Sequence, residues 1–192
     1  MQRTMPLSEQ VRHLPSNDGI LVIVDGAVIN KIAGPAGDEE QEYRDFVAKS
    51  GFDFRHDLTR IAAVVGNSDS YFVVTGHFDF AKLSAYAGTC VKSVCSMPAS
   101  QPGKWISFFP LGANAIAIAV SPRQLAVADM EASRSPLVDW REVPLMIRGQ
   151  AKHFSRWGLS GDEWVEANIS GDVLELKAGS TTKRIPLSQI LQ

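Results

Sequence analysis

The order of the apolar runs in the first hundred residues constrains this chain more than any other feature. Residues 20–24 (ILVIV) form a continuous, mostly β-branched run bounded by turn-forming residues, which is typical of a strand buried on both faces. Two further runs, 60–65 and 71–75, are separated by Gly66-Asn67-Ser68-Asp69, a spacing that predicts a hairpin. We therefore expect a central strand followed later by a pair of antiparallel strands.

Two helices are predicted around this hairpin. Asp38 can cap a first helix that carries Phe46 on its apolar face, and Asp79 can cap a second helix with Leu83 facing inward. Residues 91–97 then offer a fourth strand. The resulting order of strand, helix, strand, strand, helix and strand is typical of a ferredoxin-like βαββαβ unit.

The second half of the chain repeats the same kinds of element. Residues 105–109 and 115–120 predict another hairpin, and Ser121-Pro122-Arg123-Gln124 is a capping box with proline at the first helical position. Later strands are predicted at residues 144–148, 164–169 and 173–177. We therefore expect an α+β fold with an antiparallel or mixed sheet, helices packed on one face, and a ferredoxin-like unit that is duplicated.

The domain organisation follows from this reading. Residues 1–14 are expected to form a flexible or helical lead, and residues 15–192 a single α+β domain of two intertwined halves, 15–97 and 98–192. Eight apolar residues on the predicted strands and helices should be buried in one contiguous cluster: Val22, Val24, Phe46, Val64, Val73, Leu83, Phe108 and Ile118.

Charge and hydropathy limit the partners. Lys and Arg number 19 against 21 Asp and Glu in 192 residues, a formal net charge of −2, so neither nucleic acid nor an anionic membrane surface is expected as a partner. The sequence has no apolar run of the ~20 residues that a membrane span needs. Residues 1–10 lack the apolar core of a secretory signal, which favours the cytoplasm for a complete chain, and the periplasm or envelope if an export segment has been removed.

The two cysteines, Cys90 and Cys95, lie close together in the sequence. This spacing permits a disulfide in an oxidising compartment, although a loop so short would gain at most roughly 2 kcal/mol from the bridge. Two half-buried thiols near the start of a strand are the plainer expectation.

Short motifs in the chain resemble a group of uncharacterised bacterial proteins, often from Acidobacteria. Gly51-Phe52-Asp53 with Asp57 is similar to their GFDxxxD motif, and residues 76–83 (GHFDFAKL) to their GxFDxxK[LI] step from strand to helix. Residues 106–111 (ISFFPL) resemble the FxFL segment that leads into a hairpin. The resemblance implies a shared architecture over roughly residues 15 to 130, but no activity and no catalytic residue.

Five polar residues are the candidates for a catalytic or metal-binding role. Imidazole and carboxylate groups can pass a proton or ligate a divalent metal near neutral pH. Turn and helix-capping roles would also satisfy the carboxylates, and a salt-bridged loop would account for the histidine beside Arg55. These weak catalytic candidates are Asp53, His56, Asp57, His77 and Asp79.

Other recognised motifs are missing from the sequence. Ser160 lacks the second glycine of a nucleophile elbow, no phosphate-binding loop occurs, and His13 and His153 stand without the spaced partners of a zinc site. The patterns therefore require no cofactor and no metal.

These observations favour a non-catalytic binding or scaffolding domain whose partner is an unknown protein or small molecule. Two alternatives stay open: a small-ligand carrier, which a self-associating sheet could form as a homo-oligomer, and a metal-assisted acid/base enzyme. The enzyme would use His77 and Asp79 with the Asp53 and Asp57 turn, and it requires these side chains to converge in one cleft.

Overall fold

Eleven antiparallel strands form one continuous sheet in the computed structural model, which describes residues 4–16, 18–33, 41–132 and 141–190. The predicted cap at Asp38 lies outside these residues. The strands, in chain order, span Ile20–Asp25 (β1), Leu58–Val65 (β2), Ser70–Gly76 (β3), Thr89–Val91 (β4), Val94–Pro98 (β5), Trp105–Gly112 (β6), Ala115–Ser121 (β7), Leu145–Gln150 (β8), Trp164–Ser170 (β9), Val173–Ala178 (β10) and Thr181–Pro186 (β11).

Six short helices accompany the sheet in the part of the chain that the structure describes. They span Leu7–Arg12 (α1), Gly26–Ala33 (α2), Gln41–Ser50 (α3), Phe54–Asp57 (α4), Phe80–Ala87 (α5) and Ala128–Ala132 (α6), with 3-10 segments at Ala151–Trp157 and Leu187–Gln189. Among the described residues, no helix has the length and apolar character needed to cross a membrane.

The strand order is β11-β10-β9-β8-β1-β2-β3-β7-β6-β5-β4. Three meanders are thus joined side by side: β1 to β3 in the centre, β4 to β7 beyond β3, and β8 to β11 beyond β1. The joints are formed by β7 against β3, where Val73 pairs with Ala117, and by β8 against β1, where Ile23 pairs with Met146. Both predicted halves of the chain therefore contribute strands to the same sheet.

The expectation of an α+β fold with helices packed on one face of a ferredoxin-like unit, single or duplicated, is wrong. The fold is one large antiparallel sheet, with short helices on both of its faces. In place of one strand over residues 91–97, the chain makes the hairpin of β4 and β5, which turns at Lys92 with a positive φ of 56°. Each strand pair in the described chain is antiparallel, whereas a βαβ unit needs a parallel pair. Helix α5, the second of the two predicted helices, leads to β4 at the edge of the sheet and not to a strand beside β1.

The predicted core is correct in part. Val24, Val64, Val73, Leu83 and Phe108 are buried, whereas Val22, Phe46 and Ile118 are only half-buried. The expected single cluster is wrong, because a sheet this wide separates its two faces. Val64 and Val73 belong to one cluster, and Leu83 and Phe108 to another on the opposite face.

We call these surfaces the α1 face and the α5 face. On the α1 face, Leu7 and Val11 of α1 and Met130 of α6 pack over Val73 and Ala117. Residues 7–12 of the predicted lead are therefore a helix docked on the sheet. On the α5 face, helices α3 to α5 cover the central strands, and a third cluster centred on Phe154 and Leu176 packs beneath β8 to β11.

The capping box at residues 121–124 does not start a helix directly. The Ser121 hydroxyl accepts a hydrogen bond from the backbone N–H of Arg123 at 3.0 Å, whereas a capping box uses the N–H three residues after the cap. The Gln124 side chain donates to the Ser96 hydroxyl instead of returning to Ser121. Turns follow, and α6 begins only at Ala128. Leu125, expected on the buried side, is 47% exposed, whereas Val127 is fully buried.

Candidate functional site

An apolar pocket of about 550 Å³ lies between the α5 face and helices α3 to α5. The central strands form its floor, and the helices and the chain after β5 form its walls. Its lining residues are Phe46, Phe52, Phe54, Leu58, Ile61, Val74, Phe78, Leu83, Tyr86, Met97, Pro98, Ser100, Ile106, Phe108, Ile116, Ile118 and Val120.

A repeated tripeptide builds the aromatic wall. Phe-Asp-Phe occurs at residues 52–54 and again at 78–80, each time at the start of a helix. In both copies the aspartate is the N-cap: Asp53 accepts a hydrogen bond from the Arg55 N–H at 2.9 Å, and Asp79 accepts one from the Lys82 N–H at 3.1 Å. The expected capping role of Asp79 is therefore confirmed, and each cap fixes the phenylalanines beside it.

Aromatic rings from the two repeats and from helices α3 and α5 contact each other in pairs. Phe52 and Phe78 stack with ring centroids 5.1 Å apart, and Phe46 of α3 meets Tyr86 of α5 edge to face at 5.4 Å. These four rings remain half-buried. All four rings line the pocket.

Two glycines bring the backbone around the first repeat close to the sheet. A Cβ on Gly26 would lie 2.2 Å from the Leu58 carbonyl oxygen, and a Cβ on Gly76 would lie 2.2 Å from the Asp57 carbonyl oxygen. The junction of α4 and β2 is thus wedged between two positions where no side chain fits. This close packing fixes the repeat at residues 52–54 relative to β3.

The chemistry of the lining is uniform. Among the described residues that form it, none is charged, and only Tyr86 and Ser100 carry polar groups. Ser100 and Pro98 are exposed, which places them at the opening. Burying a charge here would leave it without a partner at high cost, so the pocket suits an uncharged, largely apolar molecule. Its volume is within the range of small-ligand sites.

The predicted polar candidates lie behind this wall and not in the pocket. Asp53, His56 and Asp57 share the single turn of α4. The Asp53 carboxylate pairs with His56 Nδ1 at 2.8 Å and accepts a hydrogen bond from the Tyr43 hydroxyl at 2.8 Å. The Asp57 carboxylate accepts one from the Asp53 N–H at 2.7 Å. These contacts hold the turn together.

The ionisation of Asp53 reflects its contacts. Burial by itself would raise its pKa, but hydrogen bonds from His56, Tyr43 and the Arg55 N–H stabilise the charged form and hold the pKa of Asp53 below its usual 3.8. The carboxylate therefore stays ionised at neutral pH as an acceptor for its own turn.

His77 and Asp79 do not join this turn through their side chains. The His77 backbone N–H donates to the Asp57 carbonyl at 2.8 Å, while the His77 side chain is exposed. Asp79 caps α5 and lies 4.0 Å from Lys82 Nζ. The described part of the chain contains no cluster of three or more metal-ligating side chains.

A polar network closes the opposite α1 face. The Tyr71 hydroxyl donates to Asp129 at 2.8 Å and accepts from Arg123 at 3.0 Å, and Arg123 also pairs with Asp129. Burial and the bond to Asp129 raise the pKa of Tyr71 to about 12. The Arg123 guanidinium outweighs burial and lowers the pKa of Asp129. The network ties the segment before α6 to β3.

The sequence patterns point to the polar residues of these motifs as candidate functional residues and predict no binding role for the phenylalanines beside them. The sequence feature that could have identified them was the repeat itself, since two identical Phe-Asp-Phe steps at helix starts put four rings beside two caps. Two further aromatic residues of the lining, Phe46 and Phe108, were expected in a closed core.

No family model matches the chain, and no curated protein matches its sequence. Among solved structures, the chain is similar to TP0453: crystal form IV aligns over 95% of each chain, with a TM-score of 0.54 and 8% identity. Crystal form III aligns over 90% of this chain and 80% of that chain, with a TM-score of 0.52 and 8% identity. At such low identity the likeness shows the fold alone, and that fold is the sheet-based architecture described above.

Proposed function

We propose that this protein is a non-catalytic binding domain that carries a small, uncharged, apolar ligand in the pocket on the α5 face. The observation that carries this proposal is a pocket of about 550 Å³ whose described lining has no charged side chain. An apolar ligand would remove the lining and its own surface from water together, which is the main driving force for binding.

The half-buried rings support the same proposal. In a closed core, aromatic side chains of this size would pack against one another to native density. Here Phe46, Phe52, Phe78 and Tyr86 remain half-buried. Their exposed surface is the surface that a ligand would cover.

The alternative of an acid/base enzyme has less support. Asp53 and Asp57 are engaged within their own turn, and Asp79 is engaged as a cap. These carboxylates have structural roles that need no substrate.

A pair of fluorescent probes tests the proposal. N-phenyl-1-naphthylamine is uncharged, and 8-anilino-1-naphthalenesulfonate has the same ring skeleton with an added sulfonate. We expect the uncharged probe to bind at least about tenfold more tightly, because the sulfonate would have to be buried without a partner. Equal affinities would contradict the assignment of ligand class.

A variant of the pocket floor locates the probe. Ile118→Phe adds volume inside the pocket and should abolish binding of N-phenyl-1-naphthylamine. Val65→Phe is the matched control, since Val65 lies on β2 of the same sheet, is 37% exposed and does not line the pocket. Binding that persists in Ile118→Phe would place the probe elsewhere and overturn the proposal.

A further inference from the structure

A disulfide joins Cys90 of β4 to Cys95 of β5, so the expectation of two thiols is wrong. Both sulfur atoms lie against the middle of α5. The Cys90 sulfur is 3.8 Å from the Ser84 carbonyl oxygen, and the Cys95 sulfur is 3.6 Å from the Ser84 hydroxyl. The bridge therefore contacts the helix as well as the hairpin.

The bridge joins β4 to β5 and contacts α5, and two of these elements, α5 and β5, line the pocket. Helix α5 contributes Leu83 and Tyr86, and β5 contributes Met97. Helix α5 ends at its C-cap Gly88, and Cys90 follows two residues later. Linking Cys90 to Cys95 thus fixes the end of α5 to the strand that forms the neighbouring wall.

Strand β4 has few other contacts that fix its position. Strand β4 has three residues, all exposed, and Val91 is 61% exposed. It is an edge strand that pairs with β5 alone. Because β4 buries so little apolar surface, the covalent link has a large share in fixing its position and that of the attached helix end.

We propose that the Cys90–Cys95 disulfide is a thiol-exchange site that controls the pocket, retaining the ligand when oxidised and releasing it when reduced by a dithiol. This inference rests on the proposed function. Exchange requires an accessible sulfur, and Cys90 is exposed, whereas Cys95 is 2% exposed within the cluster that contains Leu83 and Phe108.

The exchange balances in two steps. A thiolate of the dithiol attacks the Cys90 sulfur, forms a mixed disulfide and expels the Cys95 thiolate, which takes up a proton. The second thiol of the reductant, as thiolate, then attacks the reductant's other sulfur, which is bonded to Cys90 in the mixed disulfide. It expels the Cys90 thiolate, which is protonated in turn. Two electrons and two protons pass to the protein, and the dithiol becomes a cyclic disulfide.

The test measures release of N-phenyl-1-naphthylamine from the full chain by stopped-flow fluorescence, with and without dithiothreitol. We expect reduction to accelerate dissociation roughly three- to tenfold, since loosening a wall acts mainly on the rate of release. Cys90→Ser, which cannot form the bridge, should release the probe at the fast rate under both conditions. Equal rates from oxidised and reduced wild-type protein would overturn the redox control.

A second readout in the wild-type chain does not depend on any variant folding. The Gly88 N–H donates to the Ser84 carbonyl at 3.2 Å, and its hydrogen exchange should accelerate on reduction while exchange in β3 stays unchanged. Unchanged exchange at Gly88 would also contradict the inference. Failure of the probe to bind the oxidised protein would refute the proposed function and this inference together, whereas binding with no response to reductant would refute the redox control alone.

Discussion

The two faces of the central sheet share the same strands but are covered in different ways. Along β7 the residues alternate between them: Ala117 and Ala119 lie on the α1 face and are fully buried, whereas Ile118 on the α5 face is only half-buried. Along this strand, the face with the smaller side chains is the closed one. Side-chain size on the strands therefore does not determine whether a face is filled.

The covering elements explain the difference. On the α1 face, alanines let α1 and the segment around Val127 approach closely, and the Val127 N–H donates to the Ser107 hydroxyl at 3.1 Å in the sheet. On the α5 face, the two Phe-Asp-Phe steps place rings between helix and strand. The strand surface formed by alanines is thus packed tightly, whereas the surface covered by large aromatic rings keeps a pocket.

The largest expected difference between the faces is in the unfolding free energy that is lost when a methionine on each face is replaced by alanine. Met130 is fully buried on the α1 face, so Met130→Ala should cost about 2 to 5 kcal/mol of unfolding free energy. Met97 lines the pocket and is half-buried, so Met97→Ala should cost less than about 1 kcal/mol, because it leaves no new closed cavity. Urea unfolding measures both, and similar losses would mean that the pocket is as tightly packed as the core.

Added volume should have the opposite consequences on the two faces. Ala119→Leu would force a larger side chain into the closed face and should cost about 1 to 3 kcal/mol. Ile118→Phe, on the next residue of the same strand, points into the pocket and should change the free energy of unfolding by less than about 1 kcal/mol. Thermal unfolding compares the two variants, and a larger loss in Ile118→Phe would contradict the described pocket.

The cap of the pocket helix α5 should have a moderate effect. Asp79→Ala removes the acceptor for the Lys82 N–H and should cost about 1 kcal/mol. Asp79→Asn is the matched control, since it keeps a capping oxygen and removes the charge. A loss of probe binding in Asp79→Asn without a loss of stability would instead indicate that the carboxylate contacts the ligand.

The smallest effect concerns the acid stability of the α1 face. The Arg123 guanidinium holds the pKa of Asp129 below 3.8 in the folded protein, so as the pH falls below about 5 the unfolded chain takes up the proton first and stability declines. The side chains of Asp129 and Arg123 are 40% and 57% exposed, which limits the contribution to less than about 1 kcal/mol. Asp129→Asn should flatten this acid slope in urea titrations between pH 5 and pH 3, values chosen around the usual carboxyl pKa. An unchanged slope would refute the assignment.

The sequence alone determined the local elements. Strand β1, the hairpin of β2 and β3, the hairpin of β6 and β7, strands β9 and β10 and the Asp79 cap all lie where the patterns predicted them. Each depends on periodicity and turn chemistry within a few residues, such as Gly171 with a φ of 61° at its turn.

The tertiary structure decided how these elements join. The pairing of β1 with β8 brings Ile23 beside Met146, and no local pattern records a pairing over that distance along the chain. The edge hairpin of β4 and β5 replaced the single strand expected over residues 91–97 for the same reason. The pocket depends on this hairpin and on the pairing of β3 with β7, because its volume is the space that α3 to α5 leave above strands from these two meanders. Residue types specify a strand or a cap, but only the packed sheet determines which apolar side chains are covered and which stay open to a ligand.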